Sequence, residues 1–91
     1  MAERRLLEAL RRAGFEPEAN ARLDGYEVDL LLPEPGVVIE VDGHPFHSTR
    51  PDRRPDYRRD ADLQARGYHV IRVDADDSPE RALALVARVS R

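Results

Sequence analysis

The residues best able to do chemistry lie between Tyr26 and His47, where carboxylates interrupt an apolar, β-branched sequence. YEVDLLL carries Glu27 and Asp29, VVIEVD carries Glu40 and Asp42, and the PEPG between them suits a hairpin loop. If Leu32 pairs with Val37, Asp29 faces Glu40 and Glu27 faces Asp42, with all four acids on one sheet face. The other face then carries Val28, Leu30, Leu32, Val37, Ile39 and Val41, a coherent core surface that a one-residue slip would turn outward. Like charges directly opposite one another repel, so a cation is expected between them. Oxygen ligands from Asp and Glu suit a hard ion, Mg2+ or Mn2+, better than zinc. Such an ion would activate water and neutralise a phosphate. The plainer alternative, a solvated acidic face with Asp42-Gly43 as a turn pair, stays open beside it.

His44 and His47 follow this hairpin. An H-x-x-H pair in a chain without cysteine is a weak zinc signal, and His44 reads as a loop residue facing water. His47 could serve as a general acid or base near neutral pH. No G-x-S-x-G, Gly-rich phosphate loop or GK[ST] is present, so nucleophile-elbow hydrolases and nucleotide-cradling enzymes have no support.

Elements that could position these residues are legible from periodicity. Leu6, Leu10 and Ala13 recur at helical spacing beside Leu7, and Gly14 is a stop, so residues 2–13 read as an amphipathic helix with Glu3 near the apolar stripe and Glu8 opposite it. Residues 19–24 read as a weak first strand, followed by the two acid-bearing strands. Residues 43–52 are a loop, and a helix of low apolar content is expected from about Pro55 to Gly67. YHVIRV (68–73) alternates as a strand. Ser78, Pro79 and Glu80 open a last helix whose inner face is Leu83, Val86 and Ala87. The order is α-β-β-β-α-β-α within a single domain, residues 1–91, of α/β class.

Ninety-one residues can bury roughly 60 to 65% of the unfolded surface, a thin core. No apolar run approaches a membrane span, and the charged start, AERR, is unlike a signal peptide; the expectation is a cytoplasmic protein with no membrane partner. The net charge of -3 argues against nucleic acid, but its distribution does not. Residues 1–43 hold five arginines against ten acids, whereas residues 44–72 hold seven arginines against four acids. All 15 cationic side chains are arginine, which fits a GC-rich genome as well as a use of guanidinium forks for phosphate.

An acid in one strand and E-x-D in the next, within this element order, resembles the PD-(D/E)XK nuclease superfamily. Within it the chain looks most like the bacterial very-short-patch-repair (Vsr-like) endonuclease domains, a restriction-endonuclease-like fold with a mixed central sheet flanked by helices. The resemblance runs from ERRLLEALR, where an acid near the start of the first helix falls on Glu3, through YEVD and IEVDGHPFH, to DYRRDADLQARGYHVIR. It implies a divalent ion on Asp29 and Glu40, with the backbone carbonyl of Val41 as a further ligand. Glu3 would orient water or complete the metal shell. Asp42 stands where the superfamily usually keeps lysine, and no lysine exists here to replace it. Either His47, or an arginine such as Arg59 acting only as a fixed charge, would take its place; arginine does not deprotonate, so His47 is the better candidate base within the implied catalytic set Asp29, Glu40, Asp42, His47 and Glu3. Asn20 stands roughly where related domains have glutamine.

Arg53, Arg54, Arg58, Arg59 and Arg72 would then hold DNA phosphates, while the alternative for the helix is a solvated face on which Asp56, Asp60 and Asp62 partner the arginines. The leading expectation is a Mg2+- or Mn2+-dependent DNA endonuclease domain of repair or defence, with a homodimer as the means of cutting both strands. The alternative is a catalytically inactive nuclease-fold module that binds DNA or protein in a defence or toxin-antitoxin system. A third reading is a metal-free structural domain in which Glu40 contributes only repulsion.

Overall fold

A computed structural model describes residues 3–42, 54–74 and 76–90. Its elements are α1 (Glu3–Arg12), β1 (Glu18–Leu23), β2 (Tyr26–Leu32), β3 (Val37–Asp42), α2 (Arg54–Ala65), β4 (His69–Asp74) and α3 (Pro79–Val89). The expected α-β-β-β-α-β-α order is found. The strands form one mixed sheet in the order β1-β2-β3-β4, antiparallel from β1 to β3, with β4 parallel to β3. A parallel neighbour needs a crossover, and the segment containing α2 supplies it. Among the described residues no helix is long and apolar enough to cross a membrane.

Each turn has a local cause. Asp24-Gly25 joins β1 to β2, and both residues have positive φ (53° and 88°), as a primed two-residue hairpin turn requires. The PEPG loop closes on Gly36 at φ 86°, whose N–H donates to the Leu32 carbonyl at 2.8 Å. Ser78 caps α3 by accepting from the Arg81 N–H at 3.4 Å, ahead of Pro79 at the first helical position.

The sheet is covered on both faces. Leu6 and Leu10 of α1 and Ala82 and Val86 of α3 pack on Leu30, Leu32, Val37, Ile39, Ile71 and Val73. Leu83, Leu85 and Val89 border this cluster, whereas Ala87, expected inside, is exposed, as is Ala13 just beyond the end of α1. On the other face Leu63 of α2 is fully buried against Ala21, Val28, Leu31 and Val38.

The hairpin register is the expected one for three pairs: Leu32 with Val37, Leu31 with Val38, and Leu30 with Ile39. Two expectations built on extending it fail. Glu27 does not face Asp42; it pairs with Arg22 of β1 and is exposed. Val28 joins the α2 cluster rather than the one holding Leu30 and Leu32, so the alternation of β2 reverses around Asp29. The backbone accounts for this. Asn20 has φ 53°, and the β1–β2 pairing that runs through Ala19–Leu30 and Ala21–Val28 skips the position where Asn20 would meet Asp29. A left-handed residue inside a strand breaks the two-residue period, and asparagine is among the side chains that accept that conformation most readily.

Candidate active site

Glu40 is the centre of the site. It lies on β3, between β2 and β4 in the sheet, beside Arg72 in the parallel ladder, and alternation sends Val38 and Glu40 toward α2 while Ile39 points to the other cluster. Only 5% of the residue is exposed, and it is the single buried charged residue among those described. Its Oε2 is buried with no hydrogen-bond partner among the described residues. Burial pushes its carboxyl up to about 7 from an ordinary 4.5. Arg59 opposes that shift, Asp29 adds to it, and Arg72 and Asp60 follow with smaller contributions of opposite sign.

Asp29 enters at the point where the strand pairing opens. Its Oδ2 accepts the Val41 backbone N–H at 2.8 Å, so a carboxylate takes the place that a strand carbonyl would otherwise fill. The interruption opposite Asn20 frees the residue from the β1 ladder, and the bond to Val41 ties it to the strand bearing Glu40. The expected neighbourhood of Asp29 and Glu40 is therefore present, but it is made by a side chain bridging to backbone rather than by a regular cross-strand pair.

α2 reaches the site because its residues fall on three lines. Arg59 and Leu63 are four apart and share one face; Leu63 packs on Val38, and Arg59 Nη2 lies 3.5 Å from Glu40 Oε1. Arg59 Nη1 also donates to the Glu27 carbonyl at 3.4 Å. Toward β4, Asp60 Oδ2 accepts both Arg72 Nε at 3.2 Å and Arg72 Nη2 at 2.9 Å. Toward the β1–β2 hairpin, the Tyr26 hydroxyl donates to Asp62 Oδ2 at 2.5 Å, and Arg66 pairs with Asp24 at 2.9 Å. The Asp62 carboxylate holds the Tyr26 phenol above its ordinary 10.

This corrects the picture of α2 as a solvated face. Arg58 is exposed, but Arg59, Asp60 and Asp62 are turned toward the sheet. The RRD string marks the residues involved, yet only the docking of α2 shows that Arg59 and Arg72 contact acids of this domain. His44, His47 and Arg53 lie outside the described residues, as do the side chains of Glu3, Asp42 and Arg54, whose backbones begin α1, end β3 and begin α2. A depression of about 510 Å3, lined by residues such as Phe15, Pro17, Pro33 and Glu34, sits at the PEPG end of the sheet, away from Glu40.

The donor set suits a hard divalent ion. Among the described residues no three His, Asp or Glu side chains gather as a metal cluster. Magnesium, however, is commonly held by one or two carboxylates with water completing the shell. Glu40 offers a buried oxygen that no described residue hydrogen-bonds, and Asp29 lies near enough for its charge to act on Glu40.

A mixed four-stranded sheet with this order, carrying a buried acid on β3 and a second acid on β2, is the arrangement expected of a PD-(D/E)XK-like nuclease domain, and the comparisons with known proteins support that class. The restriction-endonuclease family model REase_MTES_1575 matches residues 3–89, nearly the whole chain, and the protein belongs to that family. Among solved structures, the catalytic domain of homing endonuclease I-Bth0305I is similar, with a TM-score of 0.66 and 24% identity over 97% of this chain and 84% of that one. That likeness is one of fold. No match is found among curated proteins.

Proposed function

We propose that this chain is a metal-dependent DNA endonuclease domain, residues 1–91, that hydrolyses phosphodiester bonds. One observation carries the reading: Glu40 is a carboxylate 5% exposed on β3, with one oxygen that has no hydrogen-bond partner among the described residues and a second acid beside it. Buried polar groups are almost always hydrogen-bonded, and exceptions concentrate where a ligand or chemistry uses them. Asp29 and Glu40 would hold Mg2+ or Mn2+, and the Val41 carbonyl is a further ligand, since the Val41 N–H already points to the Asp29 side and both groups of a strand residue face the same neighbour.

The ion would bind the scissile phosphate, stabilise its developing charge and lower the pKa of the attacking water. His47 is the base, with Asp42 and Glu3 completing the catalytic set. The exposed Arg58, together with Arg53 and Arg54 before it in sequence, positions DNA phosphates without reading bases. Arg59 and Arg72 contribute from inside the domain, through Glu40 and Asp60.

A second reading, a nuclease-fold module that binds without cutting, is favoured by the Arg59 contact, because a guanidinium already supplies counter-charge to Glu40. The test is cleavage of supercoiled plasmid and of short single-stranded and mismatched duplexes, with Mg2+ or Mn2+ against chelator, beside Asp29→Asn and Glu40→Gln. Metal-dependent cutting that both variants lose supports the endonuclease. Cutting by Glu40→Gln at an unchanged rate sinks it, and no cutting on any substrate moves the assignment to the binding module.

A further inference from the structure

We propose that α2 is a gate over Glu40: it lifts from the sheet, against a set of polar ties, to admit the divalent ion and closes again over the loaded site. The inference rests on the reading of Asp29 and Glu40 as metal carboxylates. It starts from a conflict between chemistry and access. A carboxylate oxygen that binds Mg2+ must come within about 2.1 Å of the ion, yet Glu40 is buried and its Oε2 is out of reach of solvent. The sheet does not open to let an ion in, because β3 is hydrogen-bonded between β2 and β4. Of the described elements beside Glu40, that leaves α2, whose Arg59 lies 3.5 Å from Oε1.

α2 is fastened differently from the other two helices. α1 buries Leu6 and Leu10, and α3 buries Ala82 and Val86, in one apolar cluster. Among the described residues of α2, Leu63 alone is buried. Polar ties hold the helix on either side of it: Asp60 takes two bonds from Arg72 of β4, while Asp62 accepts from Tyr26 of β2 and Arg66 pairs with Asp24 in the β1–β2 turn. A polar contact that breaks is exchanged for water, so an element held in this way opens at lower cost than one held by a broad apolar face. Arg66 and Asp24 are both exposed, and salt weakens that tie first. These ties belong to the closed helix whether or not the ion is present. Loosening one therefore speeds ion entry and exit together and leaves the affinity unchanged.

The experiment is stopped-flow measurement of Mn2+ uptake, and of its release into a fluorescent chelator, on the intact chain as wild type, Tyr26→Phe and Asp24→Asn. Leu83→Ala, which thins the apolar cluster on the other face of the sheet, is the control for general destabilisation. Tyr26→Phe should raise both rate constants about tenfold, as loss of a hydrogen bond to a carboxylate allows. Asp24→Asn should raise both about twofold, as an exposed ion pair allows. Kd should stay unchanged in each, and Leu83→Ala should keep the wild-type rates. Unchanged rates in Tyr26→Phe overturn the proposal, and so does release that quickens while uptake does not. An equal rise in Leu83→Ala also overturns it, because global unfolding would then be the route. If wild type and Glu40→Gln bind Mn2+ alike, or not at all, the metal reading is lost and amide hydrogen exchange judges the opening of α2 separately. Amides from Arg58 to Ala65 should exchange faster than the interior amides of α1 and α3, and about tenfold faster again in Tyr26→Phe. Exchange of α2 at the pace of the other two helices overturns the gate.

Discussion

Glu40 in a metal-free protein should be a liability that grows with pH. Burial pushes its folded carboxyl up to about 7 from an ordinary 4.5, which corresponds to on the order of 3 kcal/mol. Below pH 4.5 both folded and unfolded chains hold the proton and Glu40 contributes nothing to the pH dependence. Between 4.5 and 7 the unfolded chain releases its proton while the folded one keeps it, so stability falls by up to about 1.4 kcal/mol per pH unit. Above 7 the loss is complete. The attraction to Arg59 works against this: a pair at 3.5 Å gains roughly 4 to 5 kcal/mol at an effective dielectric of 20, but removing each ion from water costs several kcal/mol. The raised carboxyl means that desolvation wins.

Urea unfolding in chelator at pH 5, 6, 7 and 8, with wild type against Glu40→Gln, measures the effect. The glutamine variant lacks the titration, so its stability relative to wild type should rise from pH 5 to pH 8 by about 2 to 3 kcal/mol. A difference independent of pH would refute the reasoning. A wild type that gains on the variant as pH rises would show instead that Arg59 outweighs burial. Adding Mg2+ at pH 8 should stabilise wild type and not the variant, by an amount that grows with ion concentration over its dissociation constant.

Leu63 is the fully buried apolar anchor of α2, and Leu63→Ala should cost about 2 to 5 kcal/mol in thermal or urea unfolding while leaving α1 and α3 packed. A loss under 1 kcal/mol would mean that the polar contacts of α2 hold it without that side chain. Asn20→Gly should retain wild-type stability within about 1 kcal/mol, whereas Asn20→Val, with a β-branched residue at φ 53°, should lose roughly 1 to 2 kcal/mol by thermal denaturation. Equal melting temperatures for the two variants would show that the left-handed turn at Asn20 is dispensable. Because that turn lets Asp29 leave the β1 ladder, Asn20→Val should also weaken Mn2+ binding, measured by calorimetry, relative to Asn20→Gly.

The order of elements and the hairpin register from Leu32–Val37 to Leu30–Ile39 were legible in the sequence alone, and it also singled out Asp29 and Glu40 as acids on adjacent strands. These are local properties: periodicity, turn chemistry and the two-residue alternation of strands are written into adjacent residues. The rest depends on long-range packing. That Glu40 is buried, that Arg59 and Asp60 stand over it, and that Arg72 braces Asp60 all depend on where α2 comes down on the sheet. An arginine four residues before a core leucine looks the same in a sequence whether it faces water or an acid. The reversal at Asp29 was also beyond a strict alternation rule, because one left-handed asparagine on the neighbouring strand broke a period that every other residue of the hairpin obeys. Burial then set the chemistry, since the same carboxylate in water would titrate near 4.5 and ask for no partner.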